Sequence, residues 1–370
     1  MNKLGLLGMA LVLGATTIAC GGADASGGRL GRNNPNEPSS TEETAPRPTN
    51  DPGTTTTPAC PTQMTAPVSI ALDDKVQDLA VIAEKVYFRT ASGISRMDKK
   101  GSGRAQIVNN ENLAHAYGDD AGFLLVQATP DGNGNVTTQL VRTNLDGQVQ
   151  TTIQAPGFEP YDTRVFAADA NYYYLETSTT NGDALYRLGK QAPQLAQIAN
   201  FGVGLEDKIS APQLAGNAVW LVRGKTRVYT APFEVADPNE TKAAIPELKE
   251  VFGTGETECK LAVGQFAYCT DGKVLVRRDL KGAGATTIFD TTKSAAAAGF
   301  GTPFVAGDAI WMKPDTMNKG VIRAVKPSQN TAEEKVSACG RGEILSVAVD
   351  ATSVVWSENG DAKGIWIVPR

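Results

Sequence analysis

From residue 66 to the C-terminus the chain alternates short apolar runs with polar turns, and the alternation recurs as one phrase. Its last copy reads Ile344-Leu345-Ser346-Val347-Ala348-Val349, a turn, then Val354-Val355-Trp356, a polar turn, and Gly364-Ile365-Trp366-Ile367. Aligned on the aromatic or large apolar residue that closes the second run, the copies are Val86-Tyr87-Phe88, Gly122-Phe123-Leu124, Tyr172-Tyr173-Tyr174, Ala218-Val219-Trp220, Phe266-Ala267-Tyr268, Ala309-Ile310-Trp311 and Val354-Val355-Trp356. Their third residues are spaced by 36, 50, 46, 48, 43 and 45. Period-2 runs rich in β-branched and aromatic residues predict strands, and no sustained i, i+3, i+4 stripe argues for helices. Turn residues precede each triplet, among them Glu84-Lys85, Ala170-Asn171, Gly264-Gln265 and Thr352-Ser353.

A third run with a basic residue follows most triplets (Arg96, Arg142, Arg187, Arg277, Arg323), and then a weaker fourth run. Four strands repeated seven times at about 40–45 residues match the blades of a β-propeller. The predicted fold is therefore all-β, a propeller of seven four-stranded blades over residues 63–370. The 36- and 50-residue spacings around the second copy leave room for a register error and keep the blade number open. The last copy has three strands, and an orphan strand, Pro67-Val68-Ser69-Ile70-Ala71-Leu72, precedes the first. That N-terminal strand is expected to complete the last blade and close the ring, leaving no open seam.

The first 19 residues change the picture from a free domain to an exported one. Lys3 supplies a positive charge, Leu4 to Ile18 is apolar or small, and Thr17-Ile18-Ala19 leads into Cys20. The run is short for a spanning helix and reads as a signal peptide. Small residues before a cysteine resemble a bacterial lipoprotein signal, which implies cleavage before Cys20 and lipidation of its thiol; Thr17 stands where that signal usually has Leu. An ordinary secretory signal with an incidental cysteine is the alternative. Two or three acyl chains would anchor stably where one would be marginal. With Gly21 rather than Asp after Cys20, the outer membrane is favoured over the inner. Residues 20–62 are rich in Pro, Thr and Gly and nearly free of large apolar side chains, as a disordered tether would be.

The repeat resembles that of exported bacterial β-propeller lipoproteins of the broad TolB-like group, over residues 66–370. This resemblance implies the propeller fold and, among functions, a sensor or assembly factor of an envelope machine. The Gly-His…Trp-Asp signature of WD40 repeats and sialidase Asp-boxes are absent from the sequence.

Charge narrows the partners. Lys+Arg 35 against Asp+Glu 40 gives a net charge of −5, and no basic cluster stands out, which argues against nucleic acid. Apart from Cys20 there are four cysteines, Cys60, Cys259, Cys269 and Cys339, an even number in an exported chain. Cys259 and Cys269 lie five residues either side of Gly264, so a three-residue loop would set them opposite on a hairpin. Cys60 then pairs with Cys339 and staples the ring. No Cys-x₂-Cys pair and a single histidine argue against a metal site.

That histidine, His115, falls on the innermost strand of the second copy. It is either a general base facing the central channel or a hydrogen-bonded structural residue, and the second is favoured because no Ser or Cys elbow accompanies it. Asp131-Gly132-Asn133-Gly134-Asn135 imitates half a calcium loop, but Val136 and Arg142 stand where the glycine and the acidic ligand belong. It reads better as a hairpin tip. The repeated arginines are expected to pair with turn carboxylates between blades rather than to form a binding ring, and Trp220, Trp311, Trp356 and Trp366 to pack between sheets.

No catalytic, metal or cofactor constellation emerges. The sequence reading is a membrane-anchored envelope scaffold, attached through lipid on Cys20, that binds a protein or glycan partner through loops on one propeller face, such as residues 129–135, 177–183 and 314–319. The alternative is a propeller enzyme of lyase, hydrolase or quinoprotein type with its site at the central channel, around His115.

Overall fold

The computed structural model describes residues 68–370 other than 73, 134, 202–208, 216–217, 225–226, 233–248, 254–257, 265, 271–273, 282–283, 291–299, 307–308, 315–320, 327–332, 338–342 and 360–362. The described residues form twenty-eight strands in seven four-stranded antiparallel sheets. Blade 1 holds β2 (Asp78–Ile82), β3 (Lys85–Thr90), β4 (Gly93–Asp98) and β5 (Ala105–Asn109). Blade 2 holds β6 (Leu113–Asp119), β7 (Gly122–Pro130), β8 (Val136–Thr143) and β9 (Val149–Ala155). Blade 3 holds β10 (Arg164–Ala168), β11 (Tyr172–Thr179), β12 (Gly182–Gly189) and β13 (Leu195–Asn200), and blade 4 holds β14 (Ile209–Ala215), β15 (Ala218–Arg223), β16 (Arg227–Pro232) and β17 (Lys249–Gly253). Blade 5 holds β18 (Glu258–Val263), β19 (Phe266–Thr270), β20 (Val274–Asp279) and β21 (Ala285–Asp290), and blade 6 holds β22 (Phe300–Ala306), β23 (Ala309–Pro314), β24 (Val321–Val325) and β25 (Glu333–Ser337). Blade 7 is β26 (Glu343–Val349), β27 (Ser353–Asn359), β28 (Gly364–Pro369) and, on its outer edge, β1 (Val68–Ala71).

The closing strand lies where the sequence puts it: β1 runs antiparallel to β28, with Val68 opposite Ile367 and Ala71 opposite Gly364. A strand from the N-terminal side thus completes the C-terminal blade, and its backbone groups satisfy an edge that would otherwise be open. The inner strand of blade 1, β2, packs against that of blade 7, β26, as well as that of blade 2, β6. The ring is shut.

Seven apolar clusters occupy the seven blade boundaries. In each, side chains from one face of a sheet meet the opposite face of the next. Tyr87 of blade 1 meets Phe123 of blade 2, Tyr174 of blade 3 meets Val219 of blade 4, and Trp311 of blade 6 meets Trp356 of blade 7. Both faces of every blade are therefore buried, so the strands read as near-continuous apolar runs: β2 and most of β3 are buried throughout.

The structure corrects the repeat alignment at its two ends. Leu124, Tyr174, Trp220, Tyr268 and Trp311 face the following blade, as aligned. Phe88 instead packs with Val355 at the boundary of blades 7 and 1, and Trp356 packs back on Trp311. The residues equivalent to Leu124 are Tyr87 and Val355, one position earlier. The turn of blade 1 is the reason: Ala83 and Glu84 both adopt positive φ, 46° and 66°, and Ile82 pairs with Lys85. This is a two-residue I′ hairpin rather than a turn at Glu84-Lys85, and a slip of one residue reverses every side chain. The long spacing after the second copy reflects the extended β7–β8 hairpin and the 156–163 connection, not a missing blade.

Cys259 and Cys269 are disulfide-bonded and pair directly across β18 and β19. The expected three-residue loop is not how they meet. Val263 pairs with Phe266 around a two-residue turn, and a bulge between Cys259 and Leu261 restores the opposition. Cys20, Cys60 and Cys339 lie outside the described residues.

Candidate functional site

In an antiparallel meander the loops divide between two faces. The turns joining first to second and third to fourth strands lie on one, here the turn face. Connections joining second to third strands and one blade to the next lie on the other, the loop face. Residues 129–135 and 177–183 belong to the loop face; most of 314–319 lies outside the described residues.

At the loop-face end of the inner strands, blades 1 to 3 place a set of polar side chains. Asp78 begins β2 and stands opposite Arg89 in the β2–β3 register, so their side chains share one face. Both are buried, 4% and 5% exposed. Arg89 donates through Nε to Asp78 Oδ2, and through Nη1 to the carbonyl of Leu113 at 2.8 Å. The Ala116 backbone N–H donates to the same Asp78 Oδ2 at 3.2 Å. Leu113 and Ala116 belong to β6, and the bulge between Leu113 and His115 carries these backbone groups toward blade 1. An ion pair out of water needs further hydrogen bonds, and here the next blade supplies two, one to each partner.

Blade 3 repeats the device at a more open site. Arg164 opens β10 opposite Glu176, and its Nε lies 2.8 Å from Glu176 Oε2. His115 sits between the two pairs. Its Nε2 is 2.9 Å from the carbonyl oxygen of Tyr161, in the connection to blade 3. A carbonyl oxygen only accepts, so Nε2 is the donor in this bond. One crevice is lined by Asp78, His115, Arg164, Tyr117, Leu124 and Val126, among others. Among the described residues no group of three or more His, Cys, Asp or Glu is placed to hold a metal ion.

The loop that carries Tyr161 is held at several points. Thr138 Oγ1 donates to the Phe158 carbonyl at 2.7 Å, Glu159 N–H to the Ser178 carbonyl at 3.0 Å, and Thr163 Oγ1 to the Glu159 carbonyl at 2.7 Å. Phe158 is buried against Tyr186 with ring centroids 4.5 Å apart. Tyr161 itself is 65% exposed. A large aromatic is thus presented to solvent on a fixed loop.

The other expectations resolve one by one. Arg96 pairs with the turn carboxylate of Asp146 in the next blade, Nη1 to Oδ1 2.6 Å, as proposed for the repeated arginines. Arg142 reaches the Lys190 carbonyl of blade 3 rather than a carboxylate. Arg187 lies over the Tyr172 ring and Arg277 over the Phe266 ring; the Arg323 side chain lies outside the described residues. Trp311 and Trp356 are buried at the blade 6–7 boundary, Trp356 stacked on Trp366, and Trp220 packs on the cluster between blades 4 and 5. Asp131 Oδ1 accepts the backbone N–H groups of Asn133 and Asn135, which close the hairpin tip and hold its carboxyl below the ordinary carboxylate range.

On the turn face, sequence reasoning missed a second kind of clasp. The residue just after a third strand reaches back to the preceding blade: Lys190 Nζ lies 2.5 Å from Asp119 Oδ2 and over the Tyr173 ring, whose hydroxyl is pushed up to about 12 by burial, with Asp119 beside it. Lys99 does the same toward Asp350. Asp78, Arg89, Arg164, Glu176 and Tyr161 were missed as well. Had the β2–β3 turn been read at Ala83-Glu84, Asp78 and Arg89 would have fallen opposite each other; the turn at Glu84-Lys85 sets Asp78 against Ala91 instead.

No protein-family model and no curated protein matches this chain. Among solved structures it is similar to Kluyveromyces lactis Hsv2, at a TM-score of 0.50 and 8% identity over 80% of this chain and 98% of the other. It also matches BamB from Moraxella catarrhalis (0.48, 15%, 84% and 99%) and a structure of YCF48 bound to D1 peptide (0.49, 12%, 82% and 97%). At such identities the likeness concerns fold alone, and with seven four-stranded sheets closed in a ring the chain is a seven-bladed β-propeller.

Proposed function

We propose that this chain is a non-enzymatic recognition propeller of the bacterial envelope. It is tethered by lipid on Cys20, more readily to the outer than the inner membrane, and binds a protein partner through the loop face of blades 2 and 3. The observation that carries the reading is Tyr161, exposed on a loop fixed by hydrogen bonds to Thr138, Ser178 and His115. Tyr is a frequent interface anchor, and a preorganised loop spares the entropy of ordering on binding. The extended β7–β8 hairpin, with Val136 49% exposed, widens the same sector. Asp78, Arg89, Arg164, Glu176 and His115 each have protein partners already, which fits a scaffold better than an acid–base pair awaiting substrate.

Crosslinking in intact envelopes, with mass spectrometry of captured proteins, tests this reading. Wild type is expected to capture one dominant protein, with crosslinks on loops 129–135 and 156–163. Tyr161→Ala is expected to lose it, and Cys20→Ala to release the propeller from the membrane fraction. Capture unchanged by Tyr161→Ala, or crosslinks confined to the turn face, would sink the assignment of this face.

A further inference from the structure

We propose that the outer edge of blade 2 pairs with the same edge of a second copy of this chain, β9 against β9, in an antiparallel two-fold dimer. An outer strand turns a row of backbone groups to solvent, and a bulge, a charge or shortness keeps other strands from adding to it. Six of the seven blades have such protection. In β5, β13, β17, β21 and β25 a bulge splits the pairing with the third strand, so that no more than three residues in a row are regularly paired. The outer strand of blade 7, β1, is four residues long. In β9 the irregularity falls at Gln150, near its start, and Thr151 through Ala155 pair in unbroken register with Arg142 through Thr138. This run contains no charge and no proline. As a strand β9 pairs with β8 alone among the described residues, and at its end the Ala155 carbonyl accepts the Phe158 N–H at 3.3 Å.

The residues of that run select the second copy. Paired antiparallel about its own centre, the run sets Ile153 opposite Ile153, Thr152 opposite Gln154 and Thr151 opposite Ala155. Half-buried Thr151 and Ile153 then share one face, and exposed Thr152 and Gln154 the other. No like charges meet, and Thr152 and Gln154 can hydrogen-bond across the join. A two-fold interface must be complementary to itself, and this run is. Antiparallel pairing also carries Val149, 65% exposed at the start of β9, to the far end of the other copy's β9. There Val136, 49% exposed, overhangs the last pair, Thr138 with Ala155. The two blades become one eight-stranded sheet. The contact does not use Tyr161, so it stands apart from the recognition reading above.

Full-length chains carrying Thr152→Cys and Gln154→Cys, expressed together and oxidised in intact envelopes, test the register. The mixture is expected to give a band of twice the chain mass on a non-reducing gel, and neither variant alone, because only directly opposed positions come within disulfide reach. Gln197→Cys, exposed on β13 of blade 3, reports chance collision and is expected to stay at the mass of one chain. In sedimentation velocity of the full chain in detergent, Thr152→Lys with Gln154→Lys opposes lysine to lysine and should weaken self-association at least about tenfold. Mixing that chain with one carrying Thr152→Glu and Gln154→Glu should restore a dimer of one of each, which also shows that both are folded. A wild type that stays monomeric up to about 0.1 mM, a dimer that the lysines leave unchanged, or crosslinking as strong at Gln197→Cys would each overturn the proposal. So would a different protein captured by Thr152→Cys in place of a second copy, which would give this edge to a partner's strand.

Discussion

Lys99 and Asp350 meet across the seam of the ring, Nζ to Oδ2 2.6 Å, although 251 residues separate them in the chain. Lys99 follows β4 of blade 1, Asp350 opens the turn of blade 7, and Lys99 also reaches Glu84 and Thr352, each at 3.0 Å. The contact joins the first and last blades on the turn face, while β1 joins them at the outer edge.

This seam has a pH signature. Burial pushes the Asp350 carboxyl up, but the bonds from Lys99 and from the Thr352 and Ser353 backbone outweigh it and leave it below its ordinary value of 3.8. Burial pushes Lys99 down, and its bonds to Asp350 and Glu84 outweigh that, leaving it above 10.5. Asp350 therefore contributes stability fully above its ordinary value and loses it as pH falls through the depressed one. Lys99 contributes fully below its ordinary value and loses it as pH rises through the raised one. A double-mutant cycle of Lys99→Met and Asp350→Asn by urea unfolding should give a coupling of about 1 kcal/mol near neutral pH, fading in strong acid. Coupling that persists unchanged at pH values where carboxylates are protonated would show that the contact is not electrostatic.

Removing one partner of the buried pair is predicted to cost far more. Arg89→Met leaves the Asp78 carboxylate without its guanidinium, for a loss of about 3–5 kcal/mol in chemical unfolding. Joint replacement, Asp78→Leu with Arg89→Met, should recover most of it, since the pair's own desolvation is then avoided. A double variant no better than the single one would contradict this account.

The β2–β3 turn offers a gain. Glu84 holds φ 66°, where glycine is at ease and other residues are strained. Glu84→Gly is expected to raise stability by about 0.5–1 kcal/mol, since its ion pair with Lys99 is largely solvent-exposed at the Glu84 end. A lower melting temperature would mean that the Lys99 contact matters more than the backbone.

Cys259 and Cys269 are 1% and 0% exposed, so mild reductant should leave their bond intact until the blade opens. Thiol labelling after reduction in native buffer, against the same treatment in denaturant, reads this directly; rapid native labelling would show that blade 5 opens locally. Peptide mapping without reduction is expected to find Cys60 linked to Cys339. Free thiols at both positions would remove that staple.

Tyr161→Ala should change stability by no more than about 0.5 kcal/mol, because the ring is exposed while its backbone carbonyl holds His115. A cooperative melt matching wild type, together with lost partner capture, would separate recognition from folding. A large drop in melting temperature would place Tyr161 among the structural residues instead.

Much of the architecture was legible because strand periodicity and turn chemistry are local. Tyr172-Tyr173-Tyr174 and the triplet ending in Trp311 each announce a second strand, and the short last copy with the orphan segment at Val68 announces the closure. The site was not legible in the same way. Asp78 and Arg89 are eleven residues apart and could be paired from the correct turn. The Ala116 N–H and the Leu113 carbonyl that complete their hydrogen bonds depend on a bulge in the neighbouring blade. His115 stood out only by being the sole histidine, and nothing near it in sequence points to Tyr161.

The sequence alone determined that the chain from residue 66 repeats a phrase of short β-strands and turns, and it led to the expectation that the N-terminal strand completes the last blade and that Cys259 faces Cys269; the count of seven blades was settled by the sheets themselves. The repeat and these expectations follow from period-2 alternation and from contacts between near neighbours. Only the tertiary structure decided which way Phe88 and Trp356 point, where Lys99 finds its carboxylate, and that Asp78, His115 and Arg164 share one crevice. Those outcomes depend on one-residue registers and on faces that meet across blade boundaries. A run of apolar residues buried on both sides carries no mark of which neighbour each side chain will touch.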